Sequence, residues 1–296
     1  MDTLKDFESK QRKYMPTFPK AMGKPTIYID GYPCEDDEPM AATGFHGEQI
    51  GIFSEQLRRY FAINAHIYIG IDSFIYYREG DITKFVAPDV YVVLGVNKFP
   101  QRRSFYTWSE GATPAAIFEF LSDSTADQDR HEKVLRCLRD MRAQEYYIHQ
   151  PEMKKPAEFR GWRRNSAGSI VEISPDAQGG LFSEALNLYF RWTEQLDTHV
   201  RLLRPYLPDG TPITTSMEEE HLRIEEQHLR MEEQRLRIEE QHLRMEEQRL
   251  RMEAETRAAE EAQRRQEAET RAAEEAQRRR EVEIELERLH QQLANR

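Results

Sequence analysis

Two cysteines, Cys34 and Cys137, are all that the 296 residues carry. They are too few and too far apart for a disulfide framework or a cysteine-rich zinc site. No apolar run approaches the roughly 20 residues that a bilayer span requires, and the opening MDTLKDFESKQRKYMP lacks the apolar stretch of a secretion signal. A cytoplasmic protein without membrane contact is the expectation. An excess of basic residues is also missing. The net charge is -11, so nucleic-acid contact must rest on a local patch. The end of the chain lacks the most: from Met217 to Arg296 there is no glycine, proline, aromatic, lysine or aspartate.

Such a composition excludes a packed core over 217–296 and favours a solvated helix. The segment holds 16 Arg and 23 Glu. Leu222, Leu229, Leu236, Leu243 and Leu250 recur every seven residues, as do Ile224, Met231, Ile238, Met245 and Met252. The two rows lie two residues, or about 200°, apart on a helix, whereas a coiled-coil seam needs three-four alternation. With Ile/Met at position a, glutamine fills d: Gln227, Gln234, Gln241 and Gln248. Glu226–Arg230, Glu233–Arg237, Glu240–Arg244 and Glu247–Arg251 stand at i,i+4 in the favourable orientation, each pair contributing a few tenths of a kcal/mol. A long charged helix or weak coiled coil is expected, with a zipper-like end at Val282, Leu286, Leu289 and Leu293 and homo-oligomerisation through it as one outcome.

The remaining residues carry every aromatic and every proline. Residues 1–42 are polar and contain prolines, which predicts loose order or a segment wrapped on the surface. FHGEQIGIFSEQLRRYF predicts a helix with Ile50, Phe53, Leu57, Tyr60 and Phe61 on one face. AHIYIGI, SFIYYRE, DVYVVLG and AAIFEFL read as strands, DQDRHEKVLRCLRDMRAQ as a helix, and EYYIHQP, AEFRGWRR and SIVEIS as further strands. Tyr146 and Tyr147, in the first of these last three, read as strand and core residues. The order implies an α/β fold: a mixed sheet flanked by helices over 43–205, a linker at 206–216, and the charged helix over 217–296.

Two acids interrupt these apolar runs. Glu119 sits inside AAIFEFL, where desolvating a carboxylate costs several kcal/mol unless a cation compensates. Asp89 follows a proline at the mouth of the VYVVL run. Two carboxylates at neighbouring strand ends, with the backbone carbonyl of Phe120, form the oxygen-rich, partly open site that Mg²⁺ or Mn²⁺ prefers. Taken singly, Pro-Asp is a common turn and Glu119 could pair with a core arginine. Ser122 and Thr125, where strand gives way to helix, fit capping, with Ser122 a second-rank site candidate. On the first helix, Glu48 and Glu55 project away from the apolar face. His46 lies on that face, as a core residue or a second-rank site candidate.

APDVYVV, IFEFLSDST, DRHEKVLRCLRDMRAQEYYIHQP and LRPYLPDGTPITT resemble the Uma-two family of restriction-endonuclease-like proteins, within the PD-(D/E)XK nuclease superfamily. The resemblance covers about 45–165 and the later LRPYLPDGTPITT. It implies that Asp89 and Glu119 are metal ligands, that Mg²⁺ or Mn²⁺ is the cofactor, and that DNA is cut hydrolytically. The superfamily lysine, two residues after the acid, is here Leu121. The family tends to carry it on the following helix, which makes Lys133 the catalytic candidate that orients or deprotonates the attacking water. Cys137 stands where the family more often has an aromatic residue. Arg102, Arg103, Arg130, Arg160, Arg163 and Arg164 are candidate phosphate contacts, although FRGWRR reads equally as a charged hairpin. The rival expectation is a non-catalytic adaptor on a worn nuclease scaffold, acting through its tail.

Overall fold

Every second residue of AIFEF faces one side of a sheet, and the sheet that results positions the acids. The computed structural model describes residues 3–34, 44–122 and 126–294. Helix α1 (Thr3–Tyr14) precedes α2 (Gly44–Tyr60), then strands β1 (Ile67–Ile71), β2 (Ile75–Tyr76), β3 (Phe85–Val86), β4 (Val90–Leu94) and β5 (Phe105–Tyr106). A short α3 (Thr107–Glu110) leads into β6 (Ala116–Phe120). Then come α4 (Ala126–Arg130), α5 (Glu132–Leu135) and a π-helical turn over Arg136–Asp140. Strands β7 (Glu145–His149), β8 (Phe159–Arg164), β9 (Ile170–Glu172), β10 (Leu181–Ser183), β11 (Leu188–Gln195) and β12 (Val200–Tyr206) follow, and α6 (Ser216–Ala294) ends the chain.

The main sheet has the order β1-β4-β6-β7-β8-β9 and is mixed. Only β6 and β7 run parallel within it, joined by the α4–α5 crossover; the other pairs are antiparallel. A parallel pair requires such a crossover. Ala116, Phe118 and Phe120 point into a core built with Phe53 and Leu57 of α2 and with Leu188, Phe190 and Leu203 of a second sheet, β10-β11-β12. Ile117 and Leu121 point the other way, against Val134, Cys137 and Leu138. Glu119 shares that second face, because strand side chains alternate.

Several segments differ from what the sequence suggests. The expected loose stretch at 1–42 includes α1, whose Gln11 Nε2 donates to the carbonyls of Arg59 (3.0 Å) and Tyr60 (2.9 Å). The side chains of Phe7, Tyr14, Met15 and Phe18 pack on the core. The expected linker at 206–216 is folded back. Leu207 N–H donates to Thr211 O (2.8 Å), Ile213 N–H to Pro205 O (3.0 Å), and Arg59 to the carbonyls of Thr214 and Thr215. The single helix expected over the crossover is broken at His131, whose φ of -129° leaves the helical region.

Arg102 is not a surface cation. Its guanidinium grips Glu110 with two arms, Nε to Oε1 at 2.6 Å and Nη2 to Oε2 at 2.9 Å, and the side chains are 0% and 1% exposed. Its other donors reach the carbonyls of Asn97 and Pro100. Removing one partner strands a buried charge, so Glu110→Ala is expected to cost about 3–5 kcal/mol. A lower urea midpoint at unchanged slope is the measurement that checks it.

His149 on β7 is buried, and its Nε2–H donates to Arg201 O at 2.7 Å. Burial holds its imidazole down from the ordinary 6.5 to about 4. The unfolded chain therefore takes up a proton that the folded chain refuses. The resulting stability is complete above about pH 6.5 and drains away as pH falls toward 4, by about 3 kcal/mol. His149→Gln is expected to flatten that part of the curve, as read from unfolding free energies at pH 7 and 4.5.

The chain divides into two compact units, 1–220 and 221–296. Within the first, Glu218 pairs with Arg204 and Glu219 with Arg59. In the second, the four Glu–Arg pairs stand at 2.6–2.7 Å, with further pairs at Glu261–Arg265 and Glu275–Arg279. The leucine and Ile/Met rows are solvent-exposed. Among the described residues no helix is long and apolar enough to cross a membrane.

Candidate active site

The turn before β4 brings Asp89 beside the end of β6. Asp72 N–H donates to the Asp89 carbonyl (3.0 Å), which pins the turn between β1 and β4. The Asp89 carboxylate then reaches across the sheet end. Its Oδ2 accepts from the Phe120 N–H at 2.6 Å and from His46 Nε2 at 3.0 Å. His46 comes from the first turn of α2. Burial lowers its proton affinity, but Asp89, Asp72 and a hydrogen bond to the Phe120 main chain raise it further, so the net direction is up. His46 is thus the hydrogen-bonding neighbour of Asp89, and its place on the apolar face of α2 reflects this contact.

Glu119 lies on the opposite face of β6 and is 3% exposed. Lys133 from α5 meets it, Nζ to Oε1 at 3.2 Å. The same Nζ stands 2.7 Å from Asp129 Oδ1, on a side chain that is 1% exposed. Leu121 follows two residues after Glu119 on the same face of β6. Its side chain fills the layer against Val134 and Leu138, and the cation enters from the element that closes that layer. Burial pushes the Glu119 carboxyl well above the usual carboxylate range; Lys133 pulls it down, while Asp129 and Asp89 push it up again. Burial works against the Lys133 ammonium, but Glu119 and Asp129 outweigh it, and the net direction is up. Lys133 is therefore a hydrogen-bond donor and fixed cation at neutral pH.

Asp129 joins this group although no pattern of apolar residues singles it out. The spacing Asp-x-x-x-Lys in DQDRHEK puts it on the lysine's side of a helix, and that is the signal the sequence carries for it. Tyr146, expected in the core, is there, and its hydroxyl donates to the Asp129 carbonyl at 3.1 Å. Cys137 is buried in the same layer, and burial pushes its thiol up. Ser122 is buried at the end of β6, and its carbonyl accepts from the Ala126 N–H at 3.2 Å. Thr125 lies outside the described residues.

Three carboxylates, Asp89, Glu119 and Asp129, thus face one ammonium and one imidazole. The donors are oxygens and the residual charge is negative, which suits a hard divalent cation. Among the described residues no three His, Cys, Asp or Glu side chains are gathered as a preformed metal cage. Asp89, Glu119 and the Phe120 carbonyl would hold such an ion through oxygen donors.

The arginines expected as phosphate contacts are mostly engaged elsewhere. Arg130 holds Glu158 (2.8 Å) and Asp127 (3.2 Å), Arg160 holds Glu172 (2.8 Å), and Arg163 holds Glu184. The Arg164 N–H donates to the Gln144 carbonyl, and its side chain is half-buried. Arg103 stacks over Tyr28.

No family model matches the sequence, and no curated protein is similar to it. Among solved structures, this chain is similar to one described as "a putative nuclease belonging to DUF820 from Anabaena variabilis". The similarity spans 51% of this chain and 78% of that one, at 17% identity and a TM-score of 0.36.

Proposed function

We propose that this chain is a metal-dependent phosphodiesterase that hydrolyses DNA, with Asp89 and Glu119 holding Mg²⁺ or Mn²⁺ and Lys133 assisting. The observation that carries this reading is the convergence of Asp89, Glu119 and Lys133 at one end of the β4–β6 pair, with Lys133 facing Glu119 at 3.2 Å. Asp89, Glu119 and the Phe120 carbonyl are the oxygen donors for the ion. When bound, the ion lowers the pKa of a coordinated water and offsets charge on the phosphate. Lys133 donates hydrogen bonds through an ammonium that Asp129 aims at the site, orienting the water and stabilising negative charge in the transition state. His46 keeps the Asp89 carboxylate turned toward the strand end. Two bodies joined through the tail helix would cut both strands.

Supercoiled plasmid with Mg²⁺, Mn²⁺ or EDTA tests the reading. Nicking in either metal and none in EDTA is the expected result. An intact plasmid in all three, with no metal bound by calorimetry, would overturn it in favour of the adaptor.

A further inference from the structure

The phosphate contacts expected on β8 and α4 are mostly neutralised, so nucleic acid needs another surface. One leads away from the acids. β1 is an edge strand of the main sheet, and two cavities run along it. The first, of about 680 Å³, is lined by Gly47, Ile71, Arg58 and their neighbours. The other, of about 200 Å³, is lined by Arg58, Tyr68, Lys98 and Phe99 among others. Arg58 belongs to both, so they meet there and form one groove between α2 and the open edge of the sheet.

One end of this groove is lined by the chain neighbours of residues that hold Asp89. Gly47 adjoins His46, which touches Asp89, and Ile71 adjoins Asp72, whose N–H binds the Asp89 carbonyl. A Cβ built on Gly47 would meet nothing within 4 Å, so α2 presents bare backbone there. At the other end Phe99 is 64% exposed, with Lys98 Nζ 5.8 Å from its ring centre. Arg58 is solvent-exposed between them. Among the described residues no carboxylate pairs with Arg58, in contrast to Arg130, Arg160 and Arg163. The one acid on the groove wall, Glu55, already accepts from the Ser216 N–H at 2.8 Å.

We infer that this groove holds a single-stranded segment of DNA, with a phosphate on Arg58 and an unstacked base on Phe99. The inference rests on the phosphodiesterase reading and names its substrate class: DNA with a single-stranded arm leaving the cleavage site along α2. A cationic track ending in an exposed aromatic suits a single strand, because only an unpaired base can turn its face to the ring. A duplex buries its base faces and would need a broader basic surface than the body offers.

The test measures binding of a fluorescein-labelled 12-mer oligothymidine, and of a 12-base-pair duplex, to the full chain in EDTA by anisotropy. The single strand is expected to bind more tightly. Phe99→Ala is expected to weaken it about fivefold or more, with duplex binding unchanged. Arg58→Gln is expected to reduce the slope of log K against log salt by about 0.7. Equal affinities in wild type and both variants would overturn the groove, as would preferred binding of the duplex. Plasmid nicking measured alongside separates the two claims. Nicking with single-strand binding unmoved by the variants strikes the groove alone; no nicking in any metal and no binding of either DNA strikes the phosphodiesterase.

Discussion

Asp89→Asn and Glu119→Gln are each expected to slow Mg²⁺-dependent plasmid nicking by about 10³-fold, while the folded state survives. Both changes keep the side-chain shape and remove a charged oxygen donor from the ion. At 1.36 kcal/mol per decade, that loss corresponds to about 4 kcal/mol of transition-state stabilisation, within the range a bound metal supplies. Folding survives for different reasons at the two positions. The asparagine amide can still offer an oxygen to the Phe120 N–H that Asp89 now satisfies at 2.6 Å. The glutamine keeps the buried shape, and Asp129 still holds Lys133 at 2.7 Å, so the variant is expected to fold, as thermal melts in EDTA will show. Calorimetry completes the measurement, with weakened Mg²⁺ binding in both variants. Unchanged nicking in either would remove that residue from the site.

Lys133→Met combines the second large effect on activity with the largest effect on stability at the site. The ammonium sits between Glu119 at 3.2 Å and Asp129 at 2.7 Å, both buried. Methionine fills a similar volume but takes the cation away from two buried carboxylates, which costs about 3–5 kcal/mol. The accompanying loss of nicking should persist at temperatures where the variant is fully folded. Adding Glu119→Gln to Lys133→Met removes one of those two acids and is expected to restore part of the stability and none of the activity. That non-additivity is the mark of direct contact. Additive stabilities in the cycle would show that the two side chains act independently.

Much of the site is legible in the sequence because it breaks a pattern. Glu119 is conspicuous inside an apolar run, and Asp89 at the mouth of another. Both end beside Phe120, as the spacing of strands suggests. Lys133 is different: a lysine on a helix reads as solvated, and only the resemblance points to it. Asp129 is harder still, since acids in the first turn of a helix are ordinary. Its burial comes from β7, whose Tyr146 hydroxyl ties down the carbonyl of that residue, and no local pattern announces a contact 17 residues away. The partners of the arginines are hidden for the same reason. Glu158, Glu172 and Glu184 are distant in sequence from Arg130, Arg160 and Arg163, so which charges cancel is a property of the fold. Helix α1 and the folded 206–216 segment are missed because polar, proline-containing chain can pack through a few residues such as Gln11 and Phe7.

The lysine's address on α5 has a mechanical meaning. A strand lysine would be held at a fixed distance from its acid by the ladder of the sheet. Here the acid is riveted to β6, whereas the ammonium rides on a crossover that His131 interrupts and a π-helical turn finishes. The distance between them therefore gauges how closely that crossover is seated. Lifting the crossover would part Lys133 from Glu119 while the sheet stays whole, so packing alone sets that distance.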